Sequence, residues 1–291
     1  MHHIGILQLT QHLDEAVDGF KAGLAAGGPA ARFTCRNADG DAALLPALAR
    51  DLAAQEVELI FACSTPAARA AVELPAAIPV VFTPVFDPVG AGLAASLAKP
   101  GGKATGMAGM VPAAAKAAFI GRLLPAARTV GLLYDGGDAN AALEAANFRA
   151  AAAGRFATLA IVISQAEHLS LLDEKLLRPI DALFLPTGRT VEDNFATVAY
   201  YADLAGLPIV ASSPASVAAG ALGALAADHY RLGFACAAHV ARILAGADPG
   251  GLPVGTADDP DVYLNAAATR RLGLTLPAEL AASAREIYEE G

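Results

Sequence analysis

Three short apolar segments of this 291-residue chain recur, in the same order, further along it. Residues 4–8, IGILQ, are echoed by VGLLY at 130–134; residues 58–64, ELIFACS, by DALFLPT at 181–187; and residues 78–81, IPVV, by LPIV at 207–210. The echoes share a spacing of roughly 125 residues, about one compact α/β domain. Unbroken apolar runs bounded by turn residues mark strands buried on both faces, and helical periodicity follows at 13–26 and again at 139–153. Such alternation specifies βαβ units around a parallel sheet. Its duplication predicts an α/β chain of two Rossmann-like, doubly wound lobes.

The last third departs from a simple tandem. A strand at 222–227, a long helix at 229–245 and a late strand at 261–265 before two short helices predict a chain that returns to lobe one and then to lobe two. The expected lobes are 1–108 plus about 226–253, and 109–225 plus about 254–291. Several crossovers make a hinge that permits closure. Ligands of doubly wound sheets bind beyond the carboxyl ends of the strands, so two lobes with those ends facing each other make a cleft.

Composition removes other classes. Charged residues are 17% and hydrophobic ones 55%, the reverse of a disordered chain. No apolar run approaches the ~18 residues that span a bilayer; the longest, 217–227, is broken by Gly220 and Gly223. A net charge of -9, scattered basic residues and no tryptophan exclude a nucleic-acid surface. Cys35, Cys63 and Cys236 form no CxxC pair, so buried free thiols are expected rather than a metal or redox motif. Residues 1–3 run into a strand with no signal segment before it, which fits either a cytosolic protein or an exported one whose signal is absent from this sequence.

The chemistry is concentrated at strand ends. Gln8 closes the first strand, and His12 lies in the loop after it. Ser64-Thr65-Pro66 ends a strand and opens a helix, where free backbone N–H groups attract a carboxylate. Thr187 holds the matching position in the second half, beside Arg189, which is expected to face solvent. Phe86 and Asp87 follow another strand, with Asp87 before Pro88 reading first as a turn residue and second as a pocket residue. Tyr134 and Asn140 flank a glycine-containing loop, Ser212 precedes a helix start, and Asp228 either caps the helix after it or accepts a ligand ammonium. No HExxH, GxSxG, Walker or GxGxxG pattern is present. Neither a catalytic set nor a metal or cofactor is expected.

These residues resemble a known family. IGILQ at 4–8 with His12 and Gly19-Phe20, Thr65-Pro66-Ala67-Ala68, PVVF at 79–82, DPVGAGL at 87–93, KPGG at 99–102 with Thr105-Gly106, and DVYLN at 261–265 with Leu272-Gly273 are similar to ABC-transporter substrate-binding proteins of the tryptophan/aromatic amino-acid type. The resemblance covers nearly the whole chain. It implies the type I periplasmic binding fold with a three-crossover hinge, a non-enzymatic, monomeric receptor outside the cytoplasm, and an ABC permease as partner. It implies a small zwitterionic ligand: carboxylate on Ser64, Thr65 and the helix N-terminus, ammonium on Asp228, Thr187 and Asn140 from lobe two, and Phe86 and Tyr134 stacked on the side chain. The chain departs from the family's pattern at Lys103, usually asparagine, in the loop 134–140, and at Gly188-Arg189. The alternatives are a cytosolic ligand-sensing domain and a doubly wound enzyme with Asp87 or Asp228 as base.

Overall fold

The computed structural model describes residues 1–10 and 14–290. It divides into two compact units, Met1–Met110 with Ala227–Asp258 and Val111–Ala226 with Asp259–Gly291, so the chain passes from one to the other three times.

The first unit opens with β1 (His2–Gln8), α1 (Asp14–Ala25), β2 (Ala31–Asn37), α2 (Leu45–Ala54), β3 (Leu59–Cys63), α3 (Thr65–Val72), β4 (Val80–Val85) and β5 (Ala104–Ala108). The strands form one parallel sheet ordered β2-β1-β3-β4-β5. The second unit follows with α4 (Ala113–Leu123), β6 (Thr129–Asp135), α5 (Ala139–Ala152), β7 (Ala157–Ile163), α6 (Glu174–Leu177), β8 (Ala182–Leu185), α7 (Arg189–Glu192), α8 (Phe195–Leu204), β9 (Ile209–Ala211), α9 (Pro214–Ala218) and β10 (Gly223–Ala226). The chain then supplies α10 (His229–Leu244) to the first unit. It ends in the second with β11 (Asp261–Asn265), α11 (Ala266–Arg271), α12 (Ala278–Ser283) and β12 (Ala284–Tyr288). That sheet runs β12-β11-β10-β9-β8-β6-β7, parallel except where β11 pairs antiparallel with β10.

Alternation along each central strand sends neighbouring side chains to opposite faces. Ile6 packs with Phe20, Phe61 and Cys236 on one side of the first sheet, while Leu7 packs with Leu52, Ile60 and Phe82 on the other. Phe20 lies flat on Phe61 with centroids 3.9 Å apart. In the second unit Phe148 stacks on Phe184 at 4.6 Å, and Leu133, Leu185, Phe195 and Val198 share a cluster.

The helices α1 and α10 lie against each other at glycines. A Cβ on Gly19 would stand 2.0 Å from the Tyr230 carbonyl oxygen, and one on Gly23 2.6 Å from that of Phe234. Equal steps of four residues on both helices mean that they run in the same direction. Their N-termini therefore share one end of the unit, and α1 begins where the chain has left the carboxyl end of β1.

Cys63 and Cys236 are buried and free, and burial pushes both thiols well above the ordinary range. Cys35 is exposed, against expectation, because β2 is the edge strand and has a neighbour on one side only.

Candidate functional site

Parallel strands deliver their carboxyl ends to one edge, and in each unit the candidate residues gather along that edge. In the first unit Gln8 is the last residue of β1; it is buried, and its side-chain amide donates to Asp14 Oδ1 at 2.9 Å, tying the strand end to the start of α1. His12 lies outside the described residues. Ser64 follows β3 with φ +101°, in a region an L-residue rarely adopts. Its hydroxyl accepts the Ala67 N–H at 3.3 Å as the N-cap of α3. The strained Ser64 backbone turns the chain so that Thr65 opens the helix. The first-turn N–H groups have no intrahelical acceptor, which makes this end a place for negative charge.

Phe86 is half-buried beyond β4. Asp87 Oδ1 accepts the N–H groups of Val89 at 3.1 Å and Gly90 at 2.9 Å, so it builds the turn. Asp228 caps α10 by accepting the Arg231 N–H at 2.9 Å, and it faces the Arg231 guanidinium at 3.5 Å. Its side chain is only 8% exposed. Beside it, burial lowers the pKa of His229, opposed by the charges of Glu15 and Asp228.

In the second unit Tyr134 sits half-buried at the end of β6. The loop after it is held by two aspartates: Asp135 accepts from Gly137 N at 2.8 Å and Thr190 Oγ1 at 2.7 Å, and Asp138 caps α5 through Asn140 N at 2.9 Å. Asn140 itself is exposed, as is Arg189, whose side chain is 92% accessible. Thr187 and Ser212 follow β8 and β9.

Sequence reasoning missed the two residues that join these last two ends. Lys116 of α4 and Glu144 of α5 form an ion pair with side chains 5% and 2% exposed. Lys116 Nζ also donates to Ser212 Oγ at 2.8 Å, Ser212 Oγ donates to Glu144 Oε1 at 2.6 Å, and Glu144 Oε2 accepts the Thr187 N–H at 2.8 Å. The ammonium lies 5.8 Å from the centroid of the Phe184 ring, within cation–π range. A signal was present: Lys116 and Glu144 fall in phase with the apolar stripes of their helices, Lys116 beside Ala117, Phe119 and Ile120, and Glu144 with Ala141, Ala145 and Phe148. Lys103, where asparagine was expected, donates to the Leu74 and Ala76 carbonyls at 2.6 and 2.8 Å, placing a cation just past the C-terminus of α3. That departure is accounted for by local structure.

Among the described residues no cluster of His, Cys, Asp and Glu has the makings of a metal site, and no helix is long and apolar enough to cross a membrane. Residues 3–288 match the family described as ABC transporter substrate binding protein. The chain belongs to this family. It is 29% identical over 270 residues, 90% of this chain and 78% of the relative, to the tyrosine-binding protein of Clostridioides difficile strain R20291. Among solved structures it is similar to the ligand-free, open form of a substrate binding protein with adhesive properties from Clostridium difficile, with TM-score 0.89 and 28% identity over 99% of both chains. It is similar also to an ABC domain from Streptococcus pneumonia in complex with L-Trp, with TM-score 0.79 and 27% identity over 98% of this chain and 99% of that one. A leucine binding protein from Thermotoga maritima, at 13% identity and TM-score 0.57, shares the fold over 77% of this chain and 69% of its own. The two α/β lobes with parallel sheets are those of the type I periplasmic binding fold. The family is one of solute-binding proteins, and the ABC substrate-binding chain described here is a member of it by its whole length.

Proposed function

We propose that this chain is the extracytoplasmic receptor of an ABC importer and binds a small zwitterion, an amino acid with an aromatic or apolar side chain. The observation that carries the reading is the carboxyl edge of the first sheet. There the strained Ser64 presents the N-terminus of α3, and the nearly buried Asp228 carboxylate stands at the N-terminus of α10. A helix N-terminus suits the ligand carboxylate, and an enclosed carboxylate suits its ammonium. Ser64, Thr65 and Asp228 are the polar anchors in this reading, with Gln8 at the strand end and Phe86 against the side chain. Tyr134, Asn140, Thr187 and Ser212 are the contribution of the second lobe. Asp87 serves the turn that carries Phe86. The named ligands of the relatives, tyrosine and L-Trp, support this class of solute. Permease docking follows ligand-dependent closure, which the ligand drives only through its preference for the closed form.

The test is a thermal-shift and calorimetric panel of tyrosine, tryptophan, phenylalanine, leucine and sugars on protein stripped of carried-over ligand. A ligand at 100 times its Kd adds about 2.7 kcal/mol, or roughly 5–10 °C in Tm for a chain of this size. Asp228→Asn keeps a good N-cap but removes the charge, so it should fold normally and weaken amino-acid binding by tenfold or more. A shift with sugars alone, or an Asp228→Asn protein that binds amino acids as tightly as the parent, sinks the assignment.

A further inference from the structure

The ion pair of Lys116 and Glu144 reaches the molecule's edge through Ser212 and Thr187, and it dictates the direction of every hydrogen bond on the way. An ammonium only donates, so Ser212 Oγ accepts from Lys116 at 2.8 Å. A carboxylate only accepts, so the single Ser212 proton points to Glu144 Oε1 at 2.6 Å. A serine hydroxyl has one proton and two lone pairs. With the proton and one lone pair engaged, Ser212 has a single lone pair left. The same carboxylate engages the Thr187 N–H through its other oxygen, which ties the ends of β8 and β9 to one buried group. A buried pair of this kind adds little net stability over apolar packing of the same volume, so its main consequence here is directional.

We propose that Lys116 and Glu144 are positioning residues that make Ser212 an acceptor-only contact, so that the second lobe selects, at that point, a ligand group bearing an N–H or O–H donor and disfavours a carboxylate. This rests on the amino-acid receptor reading above. Two sources of the donor share this chemistry, the α-ammonium and a phenol hydroxyl, and three probes separate them: tyrosine, phenylalanine, and 3-(4-hydroxyphenyl)propionate, which keeps the phenol and lacks the amine.

Calorimetric affinities of the three probes are compared between the parent protein and Ser212→Ala. If the ammonium is the donor, the variant loses about tenfold for tyrosine and phenylalanine and nothing for the propionate. If the phenol is the donor, it loses about tenfold for tyrosine and the propionate and nothing for phenylalanine. An equal loss for all three, or no loss for any, overturns the proposal. In Glu144→Gln the amide oxygen keeps the Thr187 N–H and the amide N–H turns to Ser212 and takes up its last lone pair, so the variant should reproduce the probe-specific loss and add nothing further in the Ser212→Ala background. A full additional loss there overturns the positioning role. Should Glu144→Gln fail to fold, the Ser212→Ala pattern still decides the acceptor assignment. A parent protein that binds none of the probes overturns this inference, and the amino-acid reading with it when tryptophan and leucine also fail to bind, whereas a parent that binds them with Ser212→Ala unchanged overturns this inference alone.

Discussion

Glu192, at the end of the single turn α7, is a carboxyl group whose surroundings oppose its charge. Burial raises its pKa above the ordinary value; the Gly188 N–H pulls it back, and the charges of Glu144, Asp193 and Asp138 push it up again. A raised carboxyl favours the folded state in its protonated form. That advantage is fully present below the unfolded-state pKa near 4.5 and is lost as pH rises through the folded-state value. Glu192→Gln should therefore leave stability unchanged near pH 4 and increase it above that. Solvent screening keeps the gain small, about 1–2 °C in Tm at pH 7. Paired melting curves across that pH range check it, and a gain that is larger at pH 4 than at pH 7 contradicts the assignment. Residues of this kind were hard to foresee. Ser64 and Asp228 were legible because a hydroxyl or carboxylate at a strand-to-helix junction has a local signature. Lys116 and Glu144 stand 28 residues apart on two helices, and only their phase within an apolar stripe distinguishes them.

Among the secondary-structure elements, the contact between α1 and α10 is the most demanding. Gly19→Ala must push the two helices apart to free its Cβ from the Tyr230 carbonyl, since the obstacle is backbone rather than a mobile side chain. Overpacking of about 3 kcal/mol outweighs the ~1 kcal/mol that alanine gains over glycine in a helix, leaving a net loss of about 2 kcal/mol. Urea midpoints measure it against Gly251→Ala, where an added methyl meets nothing within 4 Å and should change little. Element type was readable wherever both faces of a strand are buried: β1, β3, β4, β6, β8 and β9 stand out as apolar runs between turns. Two of the edge strands, β2 and β12, did not. β2 carries Arg32 and Arg36 and is exposed or half-buried along its length, and β12 carries Arg285 and Glu286, so neither shows the apolar continuity of a central strand. The short β12 moreover follows α12 directly, with no turn residue to separate them.

For the whole molecule, the duplicated strand pattern identified the α/β class and the doubly wound lobes before any coordinates, because a repeat of several buried strands in fixed order has few other physical causes. The strand repeat does not by itself supply the helix that finishes the first unit; the expected return of 226–253 to lobe one comes instead from the last third's departure from a simple tandem, since α10 carries an ordinary amphipathic pattern. Cys236, Ala237, Val240 and Ile243 of α10 complete a core with Ile4, Ile6, Phe20 and Phe61. A fragment of residues 1–110 should consequently lack a cooperative unfolding transition, whereas the same fragment joined by a flexible linker to residues 227–258 should show one. Circular dichroism melts of the two would decide, and a sharp transition in the shorter fragment would contradict the role given to α10.

The three passages of the chain between units also set an order of events during synthesis. At 5–20 residues per second the ribosome needs on the order of ten seconds to go from the end of β5 to the end of α10. Through that interval all five strands of the first unit have been synthesised without α10, so the α1 backbone at Gly19 and Gly23 has nothing against it. In that window a bound chaperone would find its foothold, and its release would wait on the arrival of one helix.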